Sequence, residues 1–178
     1  TKVETLLADR FDAWQAEGHI PSAGIEPGDE TTRLHRERGW THWHQLFNPR
    51  QLLVHGAFQE RVYRDLLFTA MRFANWDSKL SQWLHSQSGG MGGGKATFFN
   101  QALNTFLNYS SRAFLSLKTA GFDGRSATAN GNSTILSIDA KFVDSKMRIW
   151  ITDPPYADAI NYHELSEFFL AWIDKKLP

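Results

Sequence analysis

The stretch that decides the predicted fold is I-W-I-T-D-P-P-Y, residues 149–156. Apolar residues dominate 147–152, as is typical of a short strand that is partly buried on both faces. The two prolines that follow end the strand, because proline has no N–H to donate to a sheet. We therefore predict a strand at 147–152 that presents residues 153–156 at its C-terminal end, where open α/β sheets form their ligand crevices.

The tetrad D-P-P-Y at 153–156 offers hydrogen-bond acceptors and almost no donors. Pro154 and Pro155 contribute only carbonyl oxygens, and Asp153 adds a carboxylate. Such a site suits a group that donates two hydrogen bonds, such as an amino group on a planar ring, and Tyr156 supplies a face for stacking. Acceptors on both amino hydrogens favour a pyramidal nitrogen whose lone pair can attack an electrophile. The alternative is an ordinary Pro-Pro turn beside a surface aspartate.

Helical periodicity dominates the rest of the chain. Apolar residues at three- and four-residue spacing predict helices at 1–17, from Asn48-Pro49 to about 75, at 78–85, at 98–118 and at 163–175. A loop-rich stretch is predicted at 19–47, a flexible glycine-rich loop at 86–95, and a second short strand at 135–138. The predicted class is therefore α/β, with a mostly helical N-terminal two-thirds (residues 1–120) followed by a strand–loop–helix portion (residues 121–178).

Composition excludes several classes of protein. The chain has 178 residues, 42% of them hydrophobic, so one domain with a real core is expected. No cysteine is present, which excludes disulfide scaffolds and thiolate chemistry. The 19 basic and 19 acidic side chains cancel, so bulk basicity gives no argument for nucleic-acid binding. Apolar runs are too short for a bilayer span, and no signal-peptide pattern opens the chain, which predicts a cytoplasmic protein.

The tetrad resembles the catalytic motif of amino-methyltransferases that act on DNA adenine with S-adenosylmethionine. Residues 152–172, T-D-P-P-Y-A-D-A-I-N-Y-H-E-L-S-E-F-F-L-A-W, resemble a group of large bacterial adenine-specific DNA methylases, some found beside phage-defence genes. Two upstream stretches resemble further blocks of that group: W-T-H-W-H-Q-L-F-N-P-R-Q-L-L at 40–53 and N-Q-A-L-N-T at 100–105. The resemblance implies that 121–178 is the C-terminal part of a Rossmann-like methyltransferase domain, and that 1–120 is a target-recognition or insert region.

The resemblance also implies roles for the tetrad. Asp153 and the carbonyl of Pro154 would accept from the exocyclic amine of an adenine flipped out of the duplex, with Tyr156 stacked on the base and Pro155 completing the motif. An aspartate in the first position favours adenine over cytosine. The implied partners are DNA, S-adenosylmethionine, and either the rest of a larger methylase polypeptide or subunits of a defence system. No metal and no membrane are expected.

The glycine-rich turn that binds the methionine part of the cofactor is missing. Such a turn follows the first strand of the sheet, but the glycine cluster at 89–94 follows polar Gln87 and Ser88. In the resembled family the cofactor motif lies N-terminal to the region seen here, and the chain does not begin with methionine. We therefore expect a portion of a larger methylase, inactive alone, whose cofactor is bound mainly by residues outside this chain.

Three further groups of residues are candidates for function. Four arginines near Trp40 and Trp43 suit contact with DNA phosphates, although a solvated loop explains them equally well: Arg33, Arg36, Arg38 and Arg50. Tyr162 and His163 are candidates for lining the base pocket, and the alternative, which is preferred, places Tyr162 in the core and makes His163 a cap of the final helix. Three histidines raise the question of a metal site, but seating a loop on the helices is the preferred interpretation: His35, His42 and His44.

Two other function classes stay open. In the first, the chain is a non-catalytic module that binds DNA or a protein partner, and the tetrad is a structural turn. In the second, the same amine chemistry acts on RNA or on a protein amide, although the aspartate at position 153 favours DNA.

Overall fold

The computed structural model describes residues 1–61, 66–81, 83–84, 93–94, 96–98, 134, 137–144, 146, 149–152 and 161–177. These residues contain six α-helices: α1 (Lys2–Ala8), α2 (Phe11–Glu17), α3 (Thr31–Arg38), α4 (Pro49–Gln59), α5 (Leu67–Trp76) and α6 (Tyr162–Leu170). Short 3-10 turns cover Trp43–Leu46, Ala140–Phe142 and Asp174–Lys176. Strands β1 (Trp83–Leu84) and β2 (Gly93–Gly94) pair antiparallel, with Trp83 opposite Gly94.

The chain divides into two compact units. The first comprises Thr1–Asp123 and Asn161–Pro178, and it contains all six helices. The second comprises Gly124–Ile160, whose described residues include the turn Ala140–Phe142 and the irregular stretch 149–152. The hydrophobic core described below belongs to the first unit.

The predicted N-terminal helix is confirmed, but the structure divides it into α1 and α2. Thr1 accepts from the backbone of Glu4 and so caps α1, and Gly18, at φ 74°, ends α2 in the left-handed conformation that favours glycine. The break lies at Asp9 and Arg10, between the two helices. Leu7 before the break and Trp14 after it are both buried in the core.

A close approach between α2 and α4 yields a testable prediction. A Cβ atom on Gly56, in the interior of α4, would lie 2.3 Å from Cε3 of Trp14. Alanine favours helices over glycine by about 1 kcal/mol, but the overlap in the core outweighs that gain. We expect Gly56→Ala to lower the free energy of unfolding by about 1–3 kcal/mol in urea denaturation.

Gly24 provides the matched control for this substitution. A Cβ there would lie 3.6 Å from the nearest atom, the Thr41 carbonyl oxygen, which is an ordinary contact. Gly24→Ala should therefore change stability by less than about 0.5 kcal/mol. Equal effects of the two substitutions would contradict the packing of Trp14 on α4.

The prediction of a loop over 19–47 is wrong for α3 and for the turn Trp43–Leu46. Glu30, the residue before α3, makes no side-chain capping bond, so the sequence carries no local start signal. The backbone amides of Glu30 and Thr31 instead receive a cap from Glu164 of α6. When the capping residue is this distant in sequence, the residues near the start of the helix do not show where it begins.

The predicted start of a helix at Asn48-Pro49 is confirmed. The Asn48 side chain accepts from the backbone of Gln51, the Gln51 side chain accepts from the backbone of Asn48, and Pro49 occupies the first turn of α4. Where one long helix was predicted to about residue 75, the structure has α4 and α5, with residues 62–65 outside the described part.

The predicted helix at 78–85 is wrong. Residues 78–80 form a bend and turn, and 83–84 form β1. The hydroxyl of Ser78 accepts from the Leu80 amide, and the Ser81 hydroxyl accepts from the Ser78 amide. Serine hydroxyls that bond to nearby backbone in this way compete with helix formation. The Thr97 hydroxyl contacts both Ser78 and the Asn75 carbonyl, which holds residues 96–98 against the end of α5.

The predicted C-terminal helix is confirmed as α6, which begins at Tyr162 and ends at Leu170. Phe168 and Trp172 point into the core, as the apolar pattern predicted, and both are at most 1% exposed. They join a single cluster with residues from α1, α2, α3, α4 and α5, together with the turn at 43–46. The C-terminal segment is therefore an integral part of the helical unit.

The predicted Rossmann-like sheet, and with it the α/β class, is contradicted. The described residues are helical, and the one sheet among them is the two-residue pairing of β1 and β2. Residues 149–152, predicted as a strand, are irregular, with Ile149 77% and Ile151 92% exposed. Residues 137–138 of the other predicted strand are not a strand either. An apolar strand requires neighbouring strands to bond its backbone, and the described residues supply none beside it.

Candidate functional site

The predicted catalytic tetrad, Asp153, Pro154, Pro155 and Tyr156, lies outside the described residues. On its N-terminal side, residues 149–152 belong to the unit Gly124–Ile160, and on its C-terminal side Asn161 begins the return to the helical unit. On the C-terminal side of the tetrad, the structure describes α6 and the contacts of that helix.

A buried carboxylate fixes the first turn of α6. Glu164 Oε2 accepts from the backbone amides of Thr31, at 2.7 Å, and Glu30, at 3.1 Å. These amides are at the N-terminus of α3, where the helix dipole favours a negative charge. Burial by itself would raise the pKa of Glu164, but the hydrogen bonds from the amides outweigh it and lower the pKa. Glu164 thus links α6 to α3 in its charged form.

This link predicts a specific pH dependence of stability. Because the pKa of Glu164 is lower in the folded chain than in the unfolded one, its contribution is complete above the unfolded value and is lost as pH falls through the folded value. We expect Glu164→Gln to lower the free energy of unfolding by about 1–2 kcal/mol at neutral pH, measured by urea denaturation.

As the pH falls through the lowered pKa of folded Glu164, the difference between Glu164→Gln and the unchanged chain should shrink, since the carboxyl becomes protonated. Glu167→Gln, an exposed change on the same helix, is the matched control and should have little effect at either pH. A pH-independent loss in Glu164→Gln would contradict a charged cap.

The apolar face of α6 packs on the stretch 40–53. The ring of Phe168 meets Trp43 edge-on at 5.7 Å and stacks on Phe47 at 6.2 Å. Trp172, just beyond the helix, meets Phe47 at 5.0 Å and His55 at 5.3 Å. The stretch 40–53 and the described end of the stretch 152–172, residues 161–172, therefore meet in one core. The third, 100–105, lies outside the described residues.

The four candidate arginines are not a free basic patch. Arg33 forms ion pairs with Glu30, at 3.7 Å, and Glu37, at 3.5 Å, and Arg36 pairs with Glu37 at 3.4 Å. Arg38, also on α3, and Arg50, on the first turn of α4, have interactions of their own. The neighbouring glutamates reduce the positive potential of this surface, so it is less basic than the run of arginines suggests.

Tyr162, the candidate for the base pocket, is the first residue of α6 and is 45% exposed. The alternative of a core position is therefore wrong. Its ring is accessible at the end of the helix that follows the tetrad in sequence, with the exposed ring of His163 next to it.

The three histidines considered as metal ligands each contact a different group. The ring of His35 contacts the Ile25 carbonyl oxygen at 2.9 Å, that of His42 the Thr41 hydroxyl at 2.9 Å, and that of His44 the Gln15 amide at 3.4 Å. Burial lowers the pKa of His44, with a further contribution from His42. Among the described residues no cluster of three or more potential metal ligands occurs.

The described residues do not fit the methionine part of S-adenosylmethionine. The part of the glycine cluster that is described, Gly93–Gly94, is strand β2, paired antiparallel with β1. The cofactor requires a glycine turn between a strand and a helix, whose N-terminal amides face the ligand. Over the described ranges, no strand leads into a helix through a glycine turn.

Comparisons with family models, with curated proteins and with solved structures found no match to this chain. Within the described part, none of the helices combines the length and the apolar character required to cross a bilayer.

Sequence reasoning missed two buried polar features among the described residues of the helical unit. One is Glu164, whose neighbours in sequence gave no sign that it would cap a distant helix. The other is a contact of 3.3 Å between His55 and Asp77, which are 2% and 1% exposed. Polar residues recurring every four positions along the inward face of α4 were the available signal for the second: Gln51, His55 and Gln59.

Proposed function

We propose that this chain carries the amine-binding segment of an adenine-specific DNA methyltransferase that acts in the cytoplasm. The observation that carries the proposal is the sequence D-P-P-Y at 153–156, followed by a helix that packs in a core with a second family-like stretch, 40–53. S-adenosylmethionine supplies the methyl group, and the proposal assigns its binding to residues outside the described part of the chain.

The anchoring of α6 supports this role. Residues 157–161 alone separate Tyr156 from a helix that is fixed by Glu164 at one end and by Phe168 and Trp172 along its face. The helix that follows the tetrad in sequence is therefore held firmly in the core of its own unit.

The chemistry of the tetrad supports adenine as the group bound. The Asp153 carboxylate and the Pro154 carbonyl accept the two hydrogens of an exocyclic amine, and the Tyr156 ring stacks on the base with about 1–3 kcal/mol. Tyr162, exposed at the start of α6, offers a second aromatic face on the C-terminal side of the tetrad. The adenine must leave the duplex to reach such a site, since its amine is otherwise enclosed by base pairing.

The experiment that tests this function is a methyl-transfer assay on the complete gene product that contains residues 1–178. The protein is incubated with methyl-labelled S-adenosylmethionine and, in separate reactions, adenine-containing DNA, RNA of the same sequence and a mixture of proteins. We expect label in DNA, recovered as N6-methyladenine after digestion. Label in RNA, in protein or in cytosine would overturn the assignment of the substrate, and no transfer at all would overturn the activity.

A non-catalytic binding module is the second candidate function. It is favoured by the exposure of Ile149, Trp150 and Ile151, directly before the tetrad, where the enzyme interpretation required a buried strand. Titrating the chain with labelled DNA, with and without S-adenosylmethionine, separates the two. DNA binding of equal affinity with and without S-adenosylmethionine, together with no methyl transfer, would support the non-catalytic binding module.

A further inference from the structure

A buried pair of titratable side chains joins α4 to the end of α5. The Nε2 atom of His55, on α4, lies 3.3 Å from Oδ2 of Asp77, the residue that caps the C-terminus of α5. The two side chains are 2% and 1% exposed, so water does not screen the contact. The pair has no part in the proposed amine-binding segment.

The surroundings of the pair are mostly apolar. The His55 ring meets the rings of Phe47 at 5.5 Å and Trp172 at 5.3 Å, both nearly edge-on. Gln51 and Gln59, one turn before and one turn after His55, add buried but uncharged amides. A net charge at this position would lose its hydration, and the mostly apolar surroundings would not replace those interactions.

The charged groups on the adjoining elements are engaged with other partners. Lys176 donates to the carbonyl oxygen and the side-chain oxygen of Gln59, and Lys79 donates to the Gln45 carbonyl at 2.9 Å. Elsewhere in the helical unit, His19 pairs with Glu17 at 3.0 Å and Glu60 with Arg10 at 3.1 Å, and Arg50 of α4 and Arg72 of α5 also have interactions.

The charge of the pair depends on how many protons it holds. With one proton it is neutral overall, with two it carries a net charge of +1, and with none a net charge of −1. Burial disfavours both charged states, and accordingly it raises the pKa of Asp77, against the opposing effects of His55 and Gln51.

We propose that His55 and Asp77 form a single-proton switch: α4, α5 and Trp172 stay packed together only while the pair holds one proton. Adding a second proton or removing the first places a net charge beside the Phe47 and Trp172 rings and loosens their packing. The packing of the C-terminal segment that includes α6 thereby depends on pH, because the pair that changes its charge is buried in the core.

The test is a thermal-unfolding profile against pH for the full chain and three variants. We expect the unchanged chain to have highest stability at intermediate pH and to lose it on both sides. Asp77→Asn should remove the alkaline loss, because no buried carboxylate remains to be deprotonated. His55→Gln should remove the acid loss caused by the imidazolium, and the double variant should keep only the acid loss that Glu164 causes. A double variant with the profile of the unchanged chain overturns the proposal.

A second measurement decides the matter if a variant does not fold. In the unchanged chain, NMR follows the ring nitrogens of His55 and the indole N–H of Trp172 through a pH titration. We expect both signals to move over the same pH range, and Asp77→Asn to change that range for both signals together. A Trp172 signal that stays constant while His55 titrates overturns the proposal.

Discussion

Replacing Asp153 by alanine should reduce methyl transfer to DNA by about a hundredfold or more. Asp153 is the one ionised acceptor of the tetrad, and hydrogen bonds to a charged acceptor are roughly twice as strong as those between neutral groups. If the proposed function is right, the adenine amine then has a single acceptor, the Pro154 carbonyl, and its orientation is no longer fixed. The measurement is the amount of N6-methyladenine formed per unit time by the complete gene product.

Asp158→Ala is the matched control, because it removes a carboxylate from the same segment but not from the tetrad. It should retain most of the transfer activity, and the circular dichroism of both variants should equal that of the unchanged protein. Full activity in Asp153→Ala would refute the catalytic assignment of the tetrad. Equal losses in both variants would indicate that the segment acts through its net charge.

Asp153→Asn separates charge from hydrogen bonding. Asparagine retains one side-chain acceptor but adds an NH₂ group, which donates where the site needs acceptors. A partial loss in Asp153→Asn, smaller than in Asp153→Ala, is therefore expected. This order distinguishes a group that contacts the base from one that only supports the fold.

The sequence predicts helices well where their start and stop signals are local. Asn48 and Pro49 begin α4, and Gly18 ends α2, because capping needs only neighbouring residues. It fails for α3, whose N-terminus is capped by Glu164 from another part of the chain. It fails again at Ser78, where hydroxyl bonds to the nearby backbone replace the predicted helix.

The predicted strand at 147–152 failed for a different reason. Apolar composition signals that a segment tends to be buried, but it does not supply the partner that buries it. A strand exists only when adjacent strands bond its backbone, and that information lies elsewhere in a chain. The exposed Ile149 and Ile151 are the consequence.

For the site, the sequence gives a hypothesis about chemistry and none about position. The tetrad at 153–156 is a prediction that rests on its residue types, which restrict what it can bind. The arginines of α3 are the opposite case. Their positions in the sequence suggested a basic patch, but Glu30 and Glu37 form ion pairs with them. Buried His55 and Asp77 were missed because a polar residue on an inward helix face reads as an interruption of the pattern.

The largest effect on stability should come from Phe168→Ala. Phe168 is fully buried, and its ring contacts Trp43, Phe47 and Phe98. Removing it leaves a cavity between α6 and the stretch 40–53, which aromatic neighbours cannot easily close. We expect the free energy of unfolding to fall by about 3–5 kcal/mol in urea denaturation. Phe68→Ala, the same change at a residue that is 75% exposed, is the control and should cost less than about 0.5 kcal/mol.

Phe168→Ala also distinguishes anchoring from catalysis. If α6 supports the tetrad only by being packed, methyl transfer by Phe168→Ala should recover at temperatures low enough for the helical unit to stay folded, whereas Asp153→Ala should stay inactive at every temperature. Loss of transfer in a fully folded Phe168→Ala would mean that the position of α6, and not merely its presence, determines the geometry of the amine. A loss of stability no larger than that of Phe68→Ala would contradict the packing of α6 against Trp43 and Phe47.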